Sequence, residues 1–242
     1  MSDNYKLIKP DQRIIDYLKD NLINSNLNEI YNCWEDGFGK NKSKSNEGFK
    51  KSDKSCLNIA FSELIPKNKS NIGIDLPVYI KKPNNEKKII ILAQDPLRSS
   101  RDFPDQNKII TGTPFALHSK YYREKRTRIY WEIVMRLCDK SYNVYITDVF
   151  KIWAKNSKFK TMSFFKTSIF CTLLEQEISI IKPDKVLSMG AIARDALNNI
   201  DLKEKYKIIQ VPHPRSRKTS WQEHLTSFND DAKIAFIVQT VK

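Results

Sequence analysis

Polar residues that could transfer protons or bind a ligand follow four short apolar runs in the sequence. Gln94, Asp95 and Pro96 follow residues 88–93, and Asp148 follows residues 143–147. Gly190 comes just after residues 185–188, and His213, one of only three histidines, comes just after residues 207–211. Carboxylates and histidines are the usual general acids and bases. Acid–base chemistry is therefore expected if these positions lie together.

The strands and helices predicted between these positions would bring the polar residues together. Apolar runs at residues 88–93, 143–147, 185–188 and 207–211 predict strands, and helical patterns at residues 129–137, 164–181 and 191–197 separate them. This alternation predicts an α/β fold, a three-layer α/β/α sandwich with a central four-stranded parallel sheet. Ligands of such sheets bind beyond the carboxyl ends of the strands, where the polar residues fall.

The first third of the chain has a different pattern. Residues 10–35 carry apolar positions at helical spacing and predict one or two helices. Residues 37–55 are rich in Lys, Ser, Asn and Gly, which predicts a loop or a disordered connector. We therefore expect a helical N-terminal extension over residues 1–75 and an α/β domain over residues 76–242.

Composition narrows the partners. The formal net charge of +14 favours a polyanion such as nucleic acid, although a lysine-rich proteome would also give a basic chain. The sequence has neither an apolar run of about 20 residues nor an apolar N-terminal segment, so we expect a cytoplasmic monomer without a membrane partner. The widely spaced cysteines (Cys33, Cys56, Cys138 and Cys171) favour buried thiols over a metal cluster.

Several motifs, in order, resemble those of uracil-DNA glycosylases. Residues 93–96 (Ala-Gln-Asp-Pro) look like the water-activating motif, normally Gly-Gln-Asp-Pro-Tyr, and residues 112–116 resemble the loop whose Phe stacks on the flipped base. Residues 189–191 resemble the Gly-Ser phosphate-binding loop, with Ala for Ser. Residues 213–216 resemble the His-Pro-Ser motif, and residues 128–132 resemble a helix start. The resemblance covers about residues 76–230.

The resemblance implies roles for the residues that match. Asp95 would orient the water and stabilise the cationic sugar, while His213 and backbone N–H groups around Gln94 would stabilise the departing base. Phe115 would stack on that base. The residues expected to contact DNA are Gly190, Ala191, Arg215, Ser216, Arg217 and Arg128.

The family's apolar wedge has no counterpart, and Arg217 or Trp221 would replace it. Other basic residues could also grip phosphates, namely Arg98, Arg101, Arg123, Lys125 and Arg126. No metal or cofactor is implied, and no lysine nucleophile follows a strand, so a monofunctional glycosylase is expected.

Two departures from the family pattern concern the base. Leu97 stands where the family has the Tyr that crowds the pyrimidine C5 position, and Asp148 stands where it has the Asn that matches uracil. A protonated Asp148 would donate to N3 of cytosine and accept from its amino group. We therefore expect a cytosine-type or C5-modified base. Such bases occur in bacteriophage DNA, which suggests a defence role.

Other interpretations remain open at this stage. The chain could be a conventional uracil-DNA glycosylase of base-excision repair, or a catalytically inactive homologue that binds DNA or protein. An unrelated nucleotide-binding protein is disfavoured because no G-x-G-x-x-G or P-loop motif occurs. Structural roles are also open. They are a helix N-cap for Asp95, a packed loop histidine for His213, core packing for Phe115, loop packing for Leu97, and a solvated turn residue or a misaligned position for Asp148.

Overall fold

The computed structural model describes residues 4–40, 48–62, 72–95, 108–154, 161–200 and 205–242. Within these ranges the chain forms two β-sheets and nine α-helices. Across the larger sheet the strands lie in the order β1 (Lys6–Ile8), β4 (Val78–Lys81), β7 (Tyr142–Asp148), β5 (Lys87–Ala93), β9 (Lys185–Met189) and β10 (Lys207–Val211).

The four strands predicted from the sequence are parallel neighbours in this sheet. β7, β5, β9 and β10 pair in parallel, whereas β4 and β1 extend the sheet in antiparallel orientation. The sheet is therefore six-stranded and mixed, not four-stranded. Residues 6–8 and 78–81 are too short to be recognised by pattern. Their pairing at the β7 edge makes them strands.

The interior of this sheet explains its apolar runs. Ile89, Ile90, Ile91 and Leu92 of β5 are all buried. Side chains that alternate between the two faces of a strand are all buried only when both faces are covered. This arrangement is typical of a parallel sheet between helical layers.

The helices supply those layers. They are α1 (Gln12–Asn21), α2 (Leu27–Gly37), α3 (Ile59–Ser62), α4 (Lys120–Glu124), α5 (Arg128–Asp139), α6 (Met162–Thr167), α7 (Ile169–Ile181), α8 (Ala191–Asn199) and α9 (Asp230–Thr240). α5 packs against β4, β7 and α9, whereas α8 packs against β5, β9 and α6. This packing agrees with the expected three-layer α/β/α fold.

One predicted helix is interrupted. Residues 164–181 were expected to be continuous, but α6 ends before Ser168 and α7 begins after it. The Ser168 hydroxyl accepts a hydrogen bond from the N–H of Phe170 at 3.3 Å and so caps α7. A serine that accepts this bond competes with helix continuation, and the surrounding apolar pattern conceals the break.

The smaller sheet also departs from expectation. Its strands lie in the order β2 (Lys50–Asp53), β6 (Lys108–Gly112), β3 (Ile72–Asp75) and β8 (Ile152–Ala154). β2 lies inside the expected loop at residues 37–55, so that prediction is wrong for residues 50–53. Backbone pairing with β6 forms this strand, whose side chains alternate between half-buried and exposed. Residues 41–47 lie outside the described ranges.

The N-terminal residues connect to both sheets. β1 pairs with β4, and α1 and α2 confirm the helices expected over residues 10–35. The division of the chain near residue 75 stays a prediction.

Candidate active site

The carboxyl ends of the four parallel strands lie at one edge of the main sheet. Ala93 pairs in register with Asp148, and Met189 pairs with Val211. The N–H groups of Val149 and Phe150 donate to the carbonyls of Ala93 and Gln94, both at 2.9 Å. The segments that carry Asp95 and Asp148 are therefore bound together just beyond the sheet.

A cleft of about 550 Å³ opens at this edge. Its lining comes from the ends of β5, β9 and β10 and from the chain after β10: Gln94, Met189, Gly190, Ala191, Ile192, Arg194, Gln210, Val211, Pro212, His213, Ser216, Ser220 and His224. Its volume lies within the usual range of ligand pockets. The half-buried Asp95 directly follows Gln94. The structure thus brings five of the expected site residues to one cleft: Gln94, Gly190, Ala191, His213 and Ser216.

His213 is held as a neutral imidazole. Its Nδ1 accepts the backbone N–H of Arg215 at 3.3 Å, which leaves the proton on Nε2. Burial lowers the pKa of His213, and the nearby Arg215 guanidinium lowers it further. Nε2 lies 3.3 Å from the hydroxyl oxygen of Tyr130. The ring therefore presents one N–H donor at Nε2 without carrying a charge.

Phe115 lies on a strained turn. Phe115 and Ala116 have backbone φ angles of 57° and 54°, in the left-handed region that residues other than glycine rarely adopt. The half-buried Phe115 ring stacks face to face on Tyr130, with centroids 3.9 Å apart and planes 7° apart. Strain of this kind persists only where surrounding contacts enforce it, and it is common at functional sites.

Contacts on the other side of the turn supply that constraint. His118 hydrogen-bonds through its backbone N–H and its Nδ1 to Thr113, with both atoms 3.1 Å from Oγ1. Its imidazole is stacked on Trp34 of α2 at 5.0 Å. The N-terminal residues therefore help to shape the turn that presents Phe115.

Arg123 has a structural position. The guanidinium is only 5% exposed and donates to the carbonyls of Leu117 and Phe38, each at 2.6 Å. Burial lowers its pKa to about 10. Arg123 therefore joins the end of the Phe115 turn to the segment after α2, and the expectation of a phosphate contact is wrong for it.

A buried ion pair adjoins Asp148. Lys151 and Glu177 are 1% and 0% exposed, and their Nζ and Oε2 atoms are 3.0 Å apart. Lys151 Nζ also donates to the carbonyl of Asp148, and the Tyr145 hydroxyl donates to Glu177 at 3.1 Å. This ion pair was not predicted from the sequence. Glu177 on the apolar face of α7 was the available signal, because buried charges require partners.

Asp148 itself is buried. It is 2% exposed, which excludes the alternative of a solvated turn residue. A ligand that contacts its carboxyl must therefore enter below the protein surface. Leu97, the other residue expected to determine the choice of base, lies outside the described residues, as do Arg98 and Arg101.

The start of α8 approaches the histidine loop closely. Gly190 has a φ of +90°, and a Cβ built on it would lie 3.1 Å from the Cβ of His213. The backbone N–H of Gly190 donates to the carbonyl of Val211 at 2.9 Å. Helix N-termini present free N–H groups to anions. Ser216 lines the same cleft, and its buried hydroxyl oxygen has no hydrogen-bond partner among the described residues.

The remaining expected DNA contacts have different environments. Arg217 is exposed, Arg215 lies 3.5 Å from Asp230, and Arg128 forms an ion pair with Glu132. Trp221 is 0% exposed and packs edge to face on Phe236. Trp221 is therefore a core residue, and its expected role as a wedge is wrong.

Some features bear on the expected absence of metal and membrane partners. In the described ranges, no three His, Cys, Asp or Glu side chains group closely enough to hold a metal ion. No helix among the described residues is long and apolar enough to cross a membrane.

Cys138 is buried, as expected for the thiols. Cys33 is exposed on α2, away from the apolar face that includes Tyr31 and Trp34, so the expectation of buried thiols is wrong for it.

Comparison with known proteins assigns the chain to a family. No curated protein matches the chain. The model of one family, described as the uracil DNA glycosylase superfamily, matches residues 80–237, more than half of the chain. The matched region includes Asp95, Asp148 and His213 and the four parallel strands that carry them. The chain therefore belongs to the uracil-DNA glycosylase superfamily.

Proposed function

We propose that this protein is a monofunctional DNA glycosylase that extrudes a pyrimidine nucleotide and hydrolyses its N-glycosidic bond. Members of this superfamily are in general DNA glycosylases. The observation that carries the proposal is that His213, a neutral Nε2–H donor, lines the same cleft as Gln94, the residue directly before the Asp95 carboxylate. These are the two functions that cleavage of this bond requires.

Each group has a defined task. Asp95 accepts a proton from the attacking water, whose oxygen bonds to C1′ of the deoxyribose as the bond between C1′ and the base breaks. The electrons of that bond leave with the base and place negative charge on its O2. The Nε2–H of His213 donates to this oxygen. A neutral donor suffices, which agrees with the lowered pKa of His213.

DNA contacts surround the cleft. The N–H groups at the start of α8, after Gly190, and the hydroxyl of Ser216 bind phosphate oxygens. Arg128, Arg215 and Arg217 supply positive charge around the same backbone. The net charge of +14 supports this assignment.

The base that we favour is cytosine or a C5-modified cytosine. Asp148 is buried next to the parallel strand that leads to Asp95, where a base would enter. A protonated carboxyl at this position would donate to N3 of cytosine and accept from its amino group. Leu97 lacks the ring of the Tyr that the family pattern has at this position, which favours tolerance of a C5 substituent. Removal of such bases suits defence against bacteriophages with modified DNA.

Two other functions compete with this one. A conventional uracil-DNA glycosylase would excise uracil despite Asp148, and an inactive homologue would bind DNA or protein without cleavage. The chain shares with both the superfamily fold. The positions of Asp95 and His213 favour an active enzyme over the inactive homologue.

One assay separates these functions. Purified protein is incubated with matched oligonucleotides that carry uracil, cytosine or a C5-substituted cytosine, and abasic sites are scored after alkaline cleavage. We expect release to be fastest from a cytosine variant. Fastest release from uracil would identify the repair enzyme. Abasic sites in none of the oligonucleotides, nor in phage DNAs with modified bases, would contradict the glycosylase proposal.

A further inference from the structure

One side chain, that of Tyr130, contacts two residues that are expected to bind the extruded base, Phe115 and His213. Its ring lies on Phe115 with centroids 3.9 Å apart and planes 7° apart, the geometry of stacked aromatic rings. Its hydroxyl oxygen is 3.3 Å from Nε2 of His213, the atom that would donate to O2 of a pyrimidine.

The shape of the tyrosine explains how it satisfies both contacts. A phenol is a six-membered aromatic ring with one exocyclic oxygen, and a pyrimidine with its O2 has the same outline. Because Nδ1 of His213 accepts the N–H of Arg215, Nε2 carries the proton and donates to whichever oxygen faces it. A pyrimidine that stacked on Phe115 and accepted this proton would take the place of the Tyr130 ring.

We infer that Tyr130 occupies the base subsite in the DNA-free protein and leaves it when a pyrimidine enters. The inference rests on the proposed function. Tyr130 lies in the first turn of α5, at the third residue of the helix. A tyrosine in a helix has two common χ1 rotamers, so its ring can move while the helix stays in place.

This placement has a consequence for selectivity. Every base that enters must replace the stacking on Phe115 and the hydrogen bond to His213 that Tyr130 already provides. A base that makes only these two contacts gains nothing over the tyrosine. A base must therefore make a third contact, which the buried Asp148 carboxyl could provide. Tyr130 thus competes with every entering base for the same two contacts, which makes it a specificity-determining residue.

The test measures base entry without cleavage. An oligonucleotide carries pyrrolo-cytosine, a fluorescent cytosine analogue that brightens when it leaves the stack, and the protein carries Asp95→Asn to prevent hydrolysis. Tyr130→Phe removes the hydroxyl and keeps the ring, whereas Tyr130→Ala removes both competing contacts. Tyr17→Phe, at a half-buried tyrosine of α1, is the matched control.

We expect the equilibrium constant for extrusion to rise about 2- to 10-fold in Tyr130→Phe, the scale of one hydrogen bond. In Tyr130→Ala it should rise about 5- to 100-fold, since a stacking contact is also lost. Tyr17→Phe should have no effect. Thermal unfolding confirms that each variant is folded, and Tyr130→Phe alone suffices if Tyr130→Ala does not fold.

A second measurement needs no DNA. The ¹⁵N resonance of His213 Nε2 should shift in Tyr130→Phe and stay unchanged in Tyr17→Phe. An unchanged resonance would overturn the inference. If the parent protein extrudes the base and neither Tyr130 variant extrudes it more strongly, the inference would also be overturned. The proposed function would then still stand. Absence of extrusion in every protein would overturn both.

Discussion

Removal of the Lys151 ammonium should destabilise the protein far more than removal of a surface lysine. Lys151→Met would leave the Glu177 carboxylate, 0% exposed, without its cation, and the carbonyl of Asp148 without its donor. Breaking a buried pair from one side typically costs about 3–5 kcal/mol. Domains are stable by only about 5–15 kcal/mol, so this one substitution should remove a large share of the free energy of unfolding.

The neighbouring hydroxyls define a compensating variant. The Tyr145 and Thr147 hydroxyls both donate to Glu177, at 3.0–3.1 Å. Burial raises the pKa of Tyr145 well above its ordinary value, and the Glu177 carboxylate raises it further, so Tyr145 stays a donor. Glu177→Gln keeps an acceptor oxygen for these hydroxyls and removes the charge. The double variant with Lys151→Met should therefore be more stable than Lys151→Met alone.

Urea unfolding followed by circular dichroism measures these differences. Lys120→Met is the matched control, because Lys120 forms a partly exposed i,i+4 pair with Glu124 at 3.6 Å. Pairs of this kind contribute about 0.3–0.5 kcal/mol. Two results would refute the view that the uncompensated Glu177 charge causes most of the loss of stability. One is a fall in the free energy of unfolding of less than about 1 kcal/mol in Lys151→Met, and the other is a double variant less stable than Lys151→Met.

Four further predictions concern the site. Asp95→Asn and His213→Ala should each reduce single-turnover base release about 10²- to 10⁴-fold with DNA affinity nearly unchanged; parent-like rates in both would show that the motif match is accidental. Asp148→Asn should shift preference from cytosine toward uracil by about 10- to 100-fold, the scale of one mismatched buried polar edge, and an unchanged ratio of release rates would separate Asp148 from base selection. The pKa of His213 lies below its ordinary value of 6.5 in the folded protein, so the unfolded chain binds more protons near pH 6. Stability should then fall as the pH drops through this region, and His213→Gln should lose part of that dependence in urea unfolding at pH 5.5 and 7.5. DNA affinity should fall steeply with salt through counterion release; a flat plot of log K against log salt, measured by fluorescence anisotropy, would remove DNA as the main partner.

Local pattern was enough for the main strands and most helices. The run of Ile89, Ile90, Ile91 and Leu92 marks a strand buried on both faces, and helical periodicity marks α5 and α7. The break at Ser168 and strand β2 could not be found in this way. Each depends on a hydrogen bond or a pairing that the apolar pattern does not record.

The candidate site divides in the same manner. Asp95 and His213 could be placed at one edge because the carboxyl ends of parallel strands meet there, whatever the details of packing. Tyr130 was assigned only to a helix start, since its contact with His213 joins residues 83 positions apart. Arg123 appeared to be a surface cation until the fold enclosed it between two carbonyls.

The sequence by itself determined the alternation of strands and helices, the positive charge and the residue types at the strand ends. These properties follow from neighbouring residues and from rules that hold for every parallel sheet. Only the tertiary structure decided the neutral state of His213, the strained turn of Phe115 beneath Tyr130, and the ion pair of Lys151 with Glu177. Hydrogen bonds, stacking and desolvation act over a few ångströms, so they depend on which distant residues the fold brings into contact.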